Sequence, residues 1–508
     1  MSTFTKSTAR KFAAVILFFS ISLTLFAQKK NQATNTLPST ASRPSQHPDF
    51  EPLFTVQIKD PVNCTADEVF EMALLFSECE RESDNWKACW EKFEEIKMAM
   101  SSDKITGLEE EERGRAILKF IYRDYLKSYS LNQTKVDVAI NTGVYNCVSS
   151  AILYMVAAKA AGLDVRGQRT TQHAFCSVYI PDAKNKLKKI DVETTNPYGF
   201  NPGSKEEIEN ESKIKQYYVV PKKYYSNRAE VSDCVFAGLI AGNLCSAYIK
   251  TSDYRKALPL GAARWEAVKN EPEKGTAFVR NEFDILAANY VNLLPESAAA
   301  YSSTLEWFEA FIKRWGNNDF LQKNLDNSFI NLLVLYNKEG NYELALSSFE
   351  KYNSKISLSQ IAKSEEIITD LIIVSVTSGL SLEEKIEETK ELLASEELAG
   401  ANRQKRGQLH LESFWVERLN ALMNEGDYEE GYRIASEALA QIPKSSTIKT
   451  MQNHFYNNSI AVIHNNFARA ANAGDYAKAQ EILKAGLVKF PNDKALKKDL
   501  LDLQKVYN

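Results

Sequence analysis

From Thr65 to about Tyr129 the apolar residues recur at three- and four-residue spacing, which predicts amphipathic helices. Val69, Phe70, Met72, Ala73 and Phe76 form one such face, behind a capping box at Thr65-Ala-Asp-Glu68. Trp86, Trp90, Phe93 and Ile96 form a second, and Ile117, Phe120, Ile121 and Leu126 a third. A denser apolar stretch, Cys147–Ala160, lies between Gly143 and Gly162 and predicts a buried central helix. The period then shortens to two. Residues 170–180 and 187–193 alternate as two strands of a hairpin, with a turn around Pro181–Lys186. Residues 197–233 are polar and loop-like, and beyond Ser232 almost everything returns to a helical period.

Within that last region four segments share one phrase: Ser252-Asp-Tyr-Arg-Lys-Ala257, Gly340-Asn-Tyr-Glu-Leu-Ala345, Gly426-Asp-Tyr-Glu-Glu-Gly431 and Gly474-Asp-Tyr-Ala-Lys-Ala479. A small residue, a turn-forming Asp or Asn, a Tyr and a final Ala or Gly suit a helix-turn-helix whose helices approach closely. Two of the segments run on to a Pro, at Ala440-Gln-Ile-Pro443 and Val488-Lys-Phe-Pro491. The phrase resembles the tetratricopeptide repeat. Its Tyr positions 254, 342, 428 and 476 are not spaced by multiples of 34 residues, so a degenerate helical solenoid is expected, with each of the four Tyr largely buried.

Composition adds a leader and removes several function classes. Lys6, Arg10 and Lys11 precede an apolar run from Phe12 to Phe26 that ends at Ala27, the order of a secretory signal peptide over residues 1–27. An uncleaved anchor is the alternative, and either reading predicts an exported protein, periplasmic or extracellular. Residues 28–54, rich in Gln, Asn, Thr, Ser and Pro, read as a flexible linker. The remainder divides into a domain at 55–232 and a helical domain at 233–508. A net charge of −4 excludes the basic signature of a nucleic-acid binder, and no later segment is apolar enough for a membrane span. In an oxidising compartment the seven cysteines either form disulfides or remain buried thiols, and the odd number leaves at least one unpaired.

Three residues carry the candidate chemistry. Cys147 falls in the first turn of the buried helix, where unpaired N–H groups stabilise negative charge on a nucleophile. His173 is the one His between His47 and His410. It sits on the first strand of the hairpin, and Asp191 on the second can accept its N–H and fix the tautomer. Cys176 alternates to the opposite face and reads as core.

A Cys on a buried helix, His-Ala-aromatic on a strand and Asp on the next strand resemble the transglutaminase-like superfamily. So does the stretch Asp191-Val-Glu-Thr-Thr-Asn-Pro-Tyr-Gly-Phe-Asn-Pro202, which is similar to bacterial members with tetratricopeptide-like C-termini. The resemblance implies an α+β fold: a papain-like core, helix bundle on antiparallel sheet, followed by an all-α solenoid. It implies a Cys147–His173–Asp191 triad acting on a peptide or protein amide through an acyl-thioester, with water or an amine as acceptor. Val-Ser-Ser after Cys147 departs from the common pattern and leaves the reaction open. Glu193 shares a face with Asp191 and is the alternative third member. Asn141 and Asn146 are oxyanion-donor candidates or plain turn residues. No D-x-D-x-D-G loop is present, so neither metal nor cofactor is expected. The competing function is an inactive scaffold whose helical repeats bind a protein partner.

Overall fold

The computed structural model describes residues 47–182, 186–225, 227–293, 295 and 297–507. The signal-peptide reading at 1–27 lies outside the described residues, as does most of the expected linker. Thr65 opens α1 (Ala66–Phe76) with the expected capping box: Glu68 N donates to its hydroxyl at 3.2 Å, and Thr65 N donates to Glu68 Oε2 at 2.8 Å. Next come α2 (Asp84–Met100), the single turn α3 (Asp103–Thr106), α4 (Glu110–Asp124) and α5 (Val136–Thr142). A short parallel pair follows, β1 (Ser128–Tyr129) with β2 (Val144–Tyr145).

The chain then enters α6 (Cys147–Ala160). The sequence predicts one apolar stripe here, but Leu153, Tyr154 and Ala157 are buried together with Val148, Ile152, Met155 and Val156. Burial on every side follows from position: α1, α2, α4 and α5 cover part of the helix, and a sheet covers the rest. That sheet has four antiparallel neighbours in the order β5-β4-β3-β6: β3 (Asp164–Arg169), β4 (Ala174–Pro181), β5 (Leu187–Val192) and β6 (Ala229–Val231). Cys176, Val178, Ile190 and Val192 alternate onto the buried face, and the Cys176 thiol donates to Ala151 O at 3.3 Å. The loop between β5 and β6 holds two short helices, α7 (Lys205–Glu209) and α8 (Glu211–Ile214).

Past Val231 the described residues contain no strand. The next helices are α9 (Asp233–Ala237), α10 (Leu239–Lys250), α11 (Tyr254–Val268), α12 (Glu273–Val291) and α13 (Ala298–Trp315). The array continues from α14 (Asp319–Glu339) to α22 (Lys494–Tyr507). The molecule is thus α+β with a long helical region. The change of element type at 232 is not a gap in the core. One apolar cluster runs from Cys64 to Leu398 across it, and Phe236 lies so close to Gly167 that a Cβ there would stand 2.3 Å from its ring. Nor is the whole of 28–54 a free linker. The Pro48 carbonyl accepts from Trp307 Nε1 at 2.8 Å, the Phe50 carbonyl accepts from Trp315 Nε1 at 3.1 Å, and Leu53 N donates to Pro259 O at 2.9 Å. Composition missed this because backbone carbonyls and Phe50 make the contacts.

All four repeated phrases are the same turn. The residue before the Asp or Asn is left-handed in each, and the next N–H closes onto a carbonyl five residues back: Asp253 to Tyr248, Asn341 to Tyr336, Asp427 to Leu422 and Asp475 to Ala470. Gly supplies the left-handed residue three times, and Ser252 adopts it at φ 57°. The closing small residues Ala257, Ala345, Gly431 and Ala479 are buried where helices cross. The Tyr expectation holds for Tyr254 alone. Tyr342, Tyr428 and Tyr476 are half-buried, although all four begin their helices.

Between α19 (Tyr428–Gln441) and α20 (Ser446–Asn472) the fit is tightest. A Cβ on Gly431 would stand 2.1 Å from the Phe455 ring. Gly431→Ala is expected to lower stability by about 1–3 kcal/mol through overpacking, although Ala is the better helix former. Denaturant unfolding of the full chain checks this, and an unchanged or raised midpoint contradicts the close crossing.

Candidate active site

Gly143, at φ 80°, ends α5 and turns the chain towards α6. Asn146 caps α6: Oδ1 accepts from Val148 N at 2.9 Å and Ser149 N at 3.1 Å, and Ser149 Oγ accepts from Asn146 N at 3.0 Å. The Cys147 N–H is the first-turn donor that these contacts leave. All seven cysteines are thiols. Six are buried and Cys147 is half-buried, so Cys147 is the thiol that a reagent reaches.

The sequence places His173 inside a strand, but the strand begins at Ala174. Residues 170–173 form the tight turn between β3 and β4. Thr170 makes it: its N–H and hydroxyl donate to the His173 carbonyl at 2.8 and 3.2 Å, and its Oγ1 accepts from Gln172 N at 3.3 Å. This puts the imidazole at the end of the sheet, on the same cavity as Cys147.

The carboxylate at the imidazole belongs to Glu193, and the expectation for Asp191 is corrected. His173 Nε2 and Glu193 Oε2 are 2.7 Å apart, with both side chains almost wholly buried. Strand register explains the difference. Asp191 pairs directly with Ser177, four residues along β4 from His173 and so about 13 Å away along the strand. There it accepts from Ser177 Oγ at 2.7 Å and from Arg228 at 2.5 and 3.2 Å. Glu193 stands two residues nearer the His173 end on the same face, a diagonal that a longer side chain spans.

The segment after β5 fixes Glu193. Its N–H donates to Gly199 O at 2.8 Å, and a Cβ on Gly199 would fall 2.0 Å from the Glu193 carbonyl oxygen. Thr195 donates to Oε1 from both N–H (3.0 Å) and Oγ1 (2.8 Å), and the Tyr225 hydroxyl donates to Oε2 at 2.5 Å. Tyr122 OH holds the Thr194 carbonyl at 2.9 Å. Thr195 and Tyr225 have clear roles that the sequence reading left in a loop. The Thr-Thr-Asn-Pro-Tyr-Gly turn and the Tyr217–Tyr225 aromatic run were their signals.

The two amide candidates are committed elsewhere. Asn141 Nδ2 donates to Asn85 Oδ1 at 2.9 Å and Cys89 Sγ at 3.2 Å, and Asn146 is the cap of α6. Neither is placed as an oxyanion donor. A cavity of about 240 Å³ adjoins Cys147 and His173, and α10, α11 and α12 supply its far wall.

Burial by itself opposes charge on His173. The Glu193 carboxylate outweighs it, with further support from Cys147, and the imidazole is pushed up to about 10. Burial likewise opposes charge on Glu193, but His173, Tyr225 and Thr195 hold its carboxyl below the usual range. For His173 the raised folded value means a stabilisation complete below about 6.5 and lost as pH rises through about 10. For Glu193 the stabilisation is present above about 4.5 and lost as pH falls through its lower folded value.

No protein-family model matches the chain, and no curated protein matches it. Among solved structures it is similar to the crystal structure of menin that reveals the binding site for the Mixed Lineage Leukemia protein. Identity is 12%, the TM-score is 0.30, and the match covers 78% of this chain and 92% of that one. So distant a likeness carries no argument for the site.

By NMR titration, His173 is expected to stay protonated through neutral pH and to lose its proton near 10. Glu193→Gln should lower that value, because Cys147 is then left to oppose burial without the carboxylate, whereas Asp191→Asn should leave it in place. The reverse pattern would return the orienting role to Asp191.

Proposed function

We propose that this chain is a transglutaminase-like cysteine hydrolase with a papain-like core, using Cys147, His173 and Glu193 on a peptide or protein amide. The observation that carries the reading is the buried His173 imidazole, 2.7 Å from the Glu193 carboxylate, on a cavity that it shares with Cys147. Glu193 occupies Nε2, which leaves Nδ1 for the sulfur. The raised proton affinity of His173 supports a resting state in which the ring carries the proton and the sulfur the negative charge.

The sulfur attacks the substrate carbonyl, and the C=O pair moves onto oxygen beside the Cys147 N–H. Collapse breaks the C–N bond as His173 gives its proton to the departing amine, leaving an acyl-thioester. Water or a second amine, deprotonated by the now neutral His173, attacks the thioester and restores the thiolate–imidazolium pair. Glu193 keeps the ring in one tautomer and stabilises its positive form throughout. Hydrolysis is the outcome proposed, with an amine as the alternative acceptor. On the export reading of residues 1–27, cell-envelope peptide or protein amides are the substrates we propose.

In an amidase assay Cys147→Ala should abolish turnover while the circular dichroism of the fold is retained. His173→Ala should cost about as much, since the two residues act as one unit. Glu193→Gln should cost about 10²–10⁴-fold in kcat, and Asp191→Asn less than about threefold. The neutral reagent iodoacetamide should alkylate Cys147 at pH 6 faster than it alkylates N-acetylcysteine. Equal or slower labelling would replace the enzyme with the scaffold reading, in which the helical array binds a partner and the site is silent.

A further inference from the structure

The wall facing Cys147 holds two arginines and one carboxylate. Arg264, on α11, is buried, and its Nη1 donates to Glu282 Oε2 at 2.5 Å. Its Nε is buried with no acceptor. Arg169, at the end of β3, lies 3.6 Å over the Phe278 ring and 3.9 Å from the same Glu282. One carboxylate therefore serves two guanidinium groups, leaving one positive charge in excess beside the nucleophile. Arg264 is buried, whereas Arg169 and Glu282 are partly exposed, so water screens part of this excess and an anion entering the cavity would meet the rest.

The sequence makes room for this charge. Gly238, just before α10, and Gly242, in its first turn, both stand against the Arg264 side chain. A Cβ on Gly242 would fall 2.8 Å from Arg264 Nη1 and 2.9 Å from its central carbon. Glycine costs a helix interior roughly 1 kcal/mol against alanine, so the passage for the guanidinium is kept at a loss of helix stability.

We infer that the cavity beside Cys147 is an anion subsite, in which Arg169 and Arg264 bind a carboxylate of the substrate next to the amide under attack. Acidic peptides are then the substrate class. A space of about 240 Å³ accommodates one acidic side chain or a chain-terminal carboxylate, and planar guanidinium groups suit bidentate carboxylate contacts. This inference rests on Cys147 being the nucleophile.

Iodoacetate and iodoacetamide test it, because both alkylate a thiolate by displacement of iodide and differ only in carboxylate against amide. The quantity measured is the ratio of their second-order rates at Cys147, by mass spectrometry of the full chain. Arg169→Gln and Arg264→Gln should each lower that ratio roughly three- to tenfold, the scale of one partly screened charge contact. Glu282→Gln, which removes the compensating carboxylate, should raise it. Added salt should compress the differences. If Arg264→Gln fails to fold, Arg169→Gln and Glu282→Gln still move the ratio in opposite directions. A ratio unchanged in both variants overturns the anion subsite, because the charge that guides iodoacetate would then belong to His173. Cys147 alkylated by iodoacetamide no faster than N-acetylcysteine would instead remove the nucleophile, and the subsite with it.

Discussion

A buried carboxylate against a buried imidazole is the constraint around which this part of the molecule is arranged. Taking such a pair out of water costs several kcal/mol per ion, and the cost is recovered only when every lone pair and proton has a partner. Glu193 meets that condition with four donors: the His173 ring, two groups of Thr195 and the Tyr225 hydroxyl. The four donors come from three kinds of support. The ring is set by a tight turn, Thr195 by the local bend that ends at Gly199, and Tyr225 by the long loop before β6. The tyrosines around them, Tyr122 and Tyr145 on the helix side and Tyr218 stacked on Tyr129 at 4.2 Å, close the surroundings to water. Loss of any one support leaves a charge without its full set of contacts.

The helical array belongs to the same arrangement. Arg264 and Glu282 reach the cavity from α11 and α12, and Asn243 on α10 donates to Thr134 Oγ1 at 3.0 Å, just ahead of α5. The site is therefore built from both sides of residue 232, although every residue in contact with the imidazole precedes it.

Much of this was legible from local patterns. The capping box at Thr65, the buried helix after Asn146, the hairpin and the four repeated turns follow from spacing and from the backbone preferences of Gly, Asp and Asn. What was not legible depends on register or on distance. Asp191 and Glu193 share a face, and only the pairing of Ser177 with Asp191 decides which of them reaches His173. Asn141 has the right residue type six positions before Cys147, yet α2 claims its amide. Pro48–Phe54 looked like linker because much of its anchoring runs through backbone groups, and Phe50 and Glu51 meet partners more than 250 positions away. Arg264 gave no local sign of its place beside Cys147, which lies 117 positions earlier in the chain.

The anchoring of Pro48–Phe54 also bears on how the chain reaches this state during synthesis. The contacts of Pro48 with Trp307 and of Phe50 with Trp315 join residues 259 and 265 positions apart, and Cys64 N meets Asp233 across 169. At a ribosomal pace of about 5–20 residues per second, Pro48 and Phe50 wait roughly 13–50 seconds for their partners to be made. Through that interval Phe50 and the surfaces awaiting α9 and α13 stay uncovered. The core of the early part therefore closes late, through contacts that span most of the chain between them.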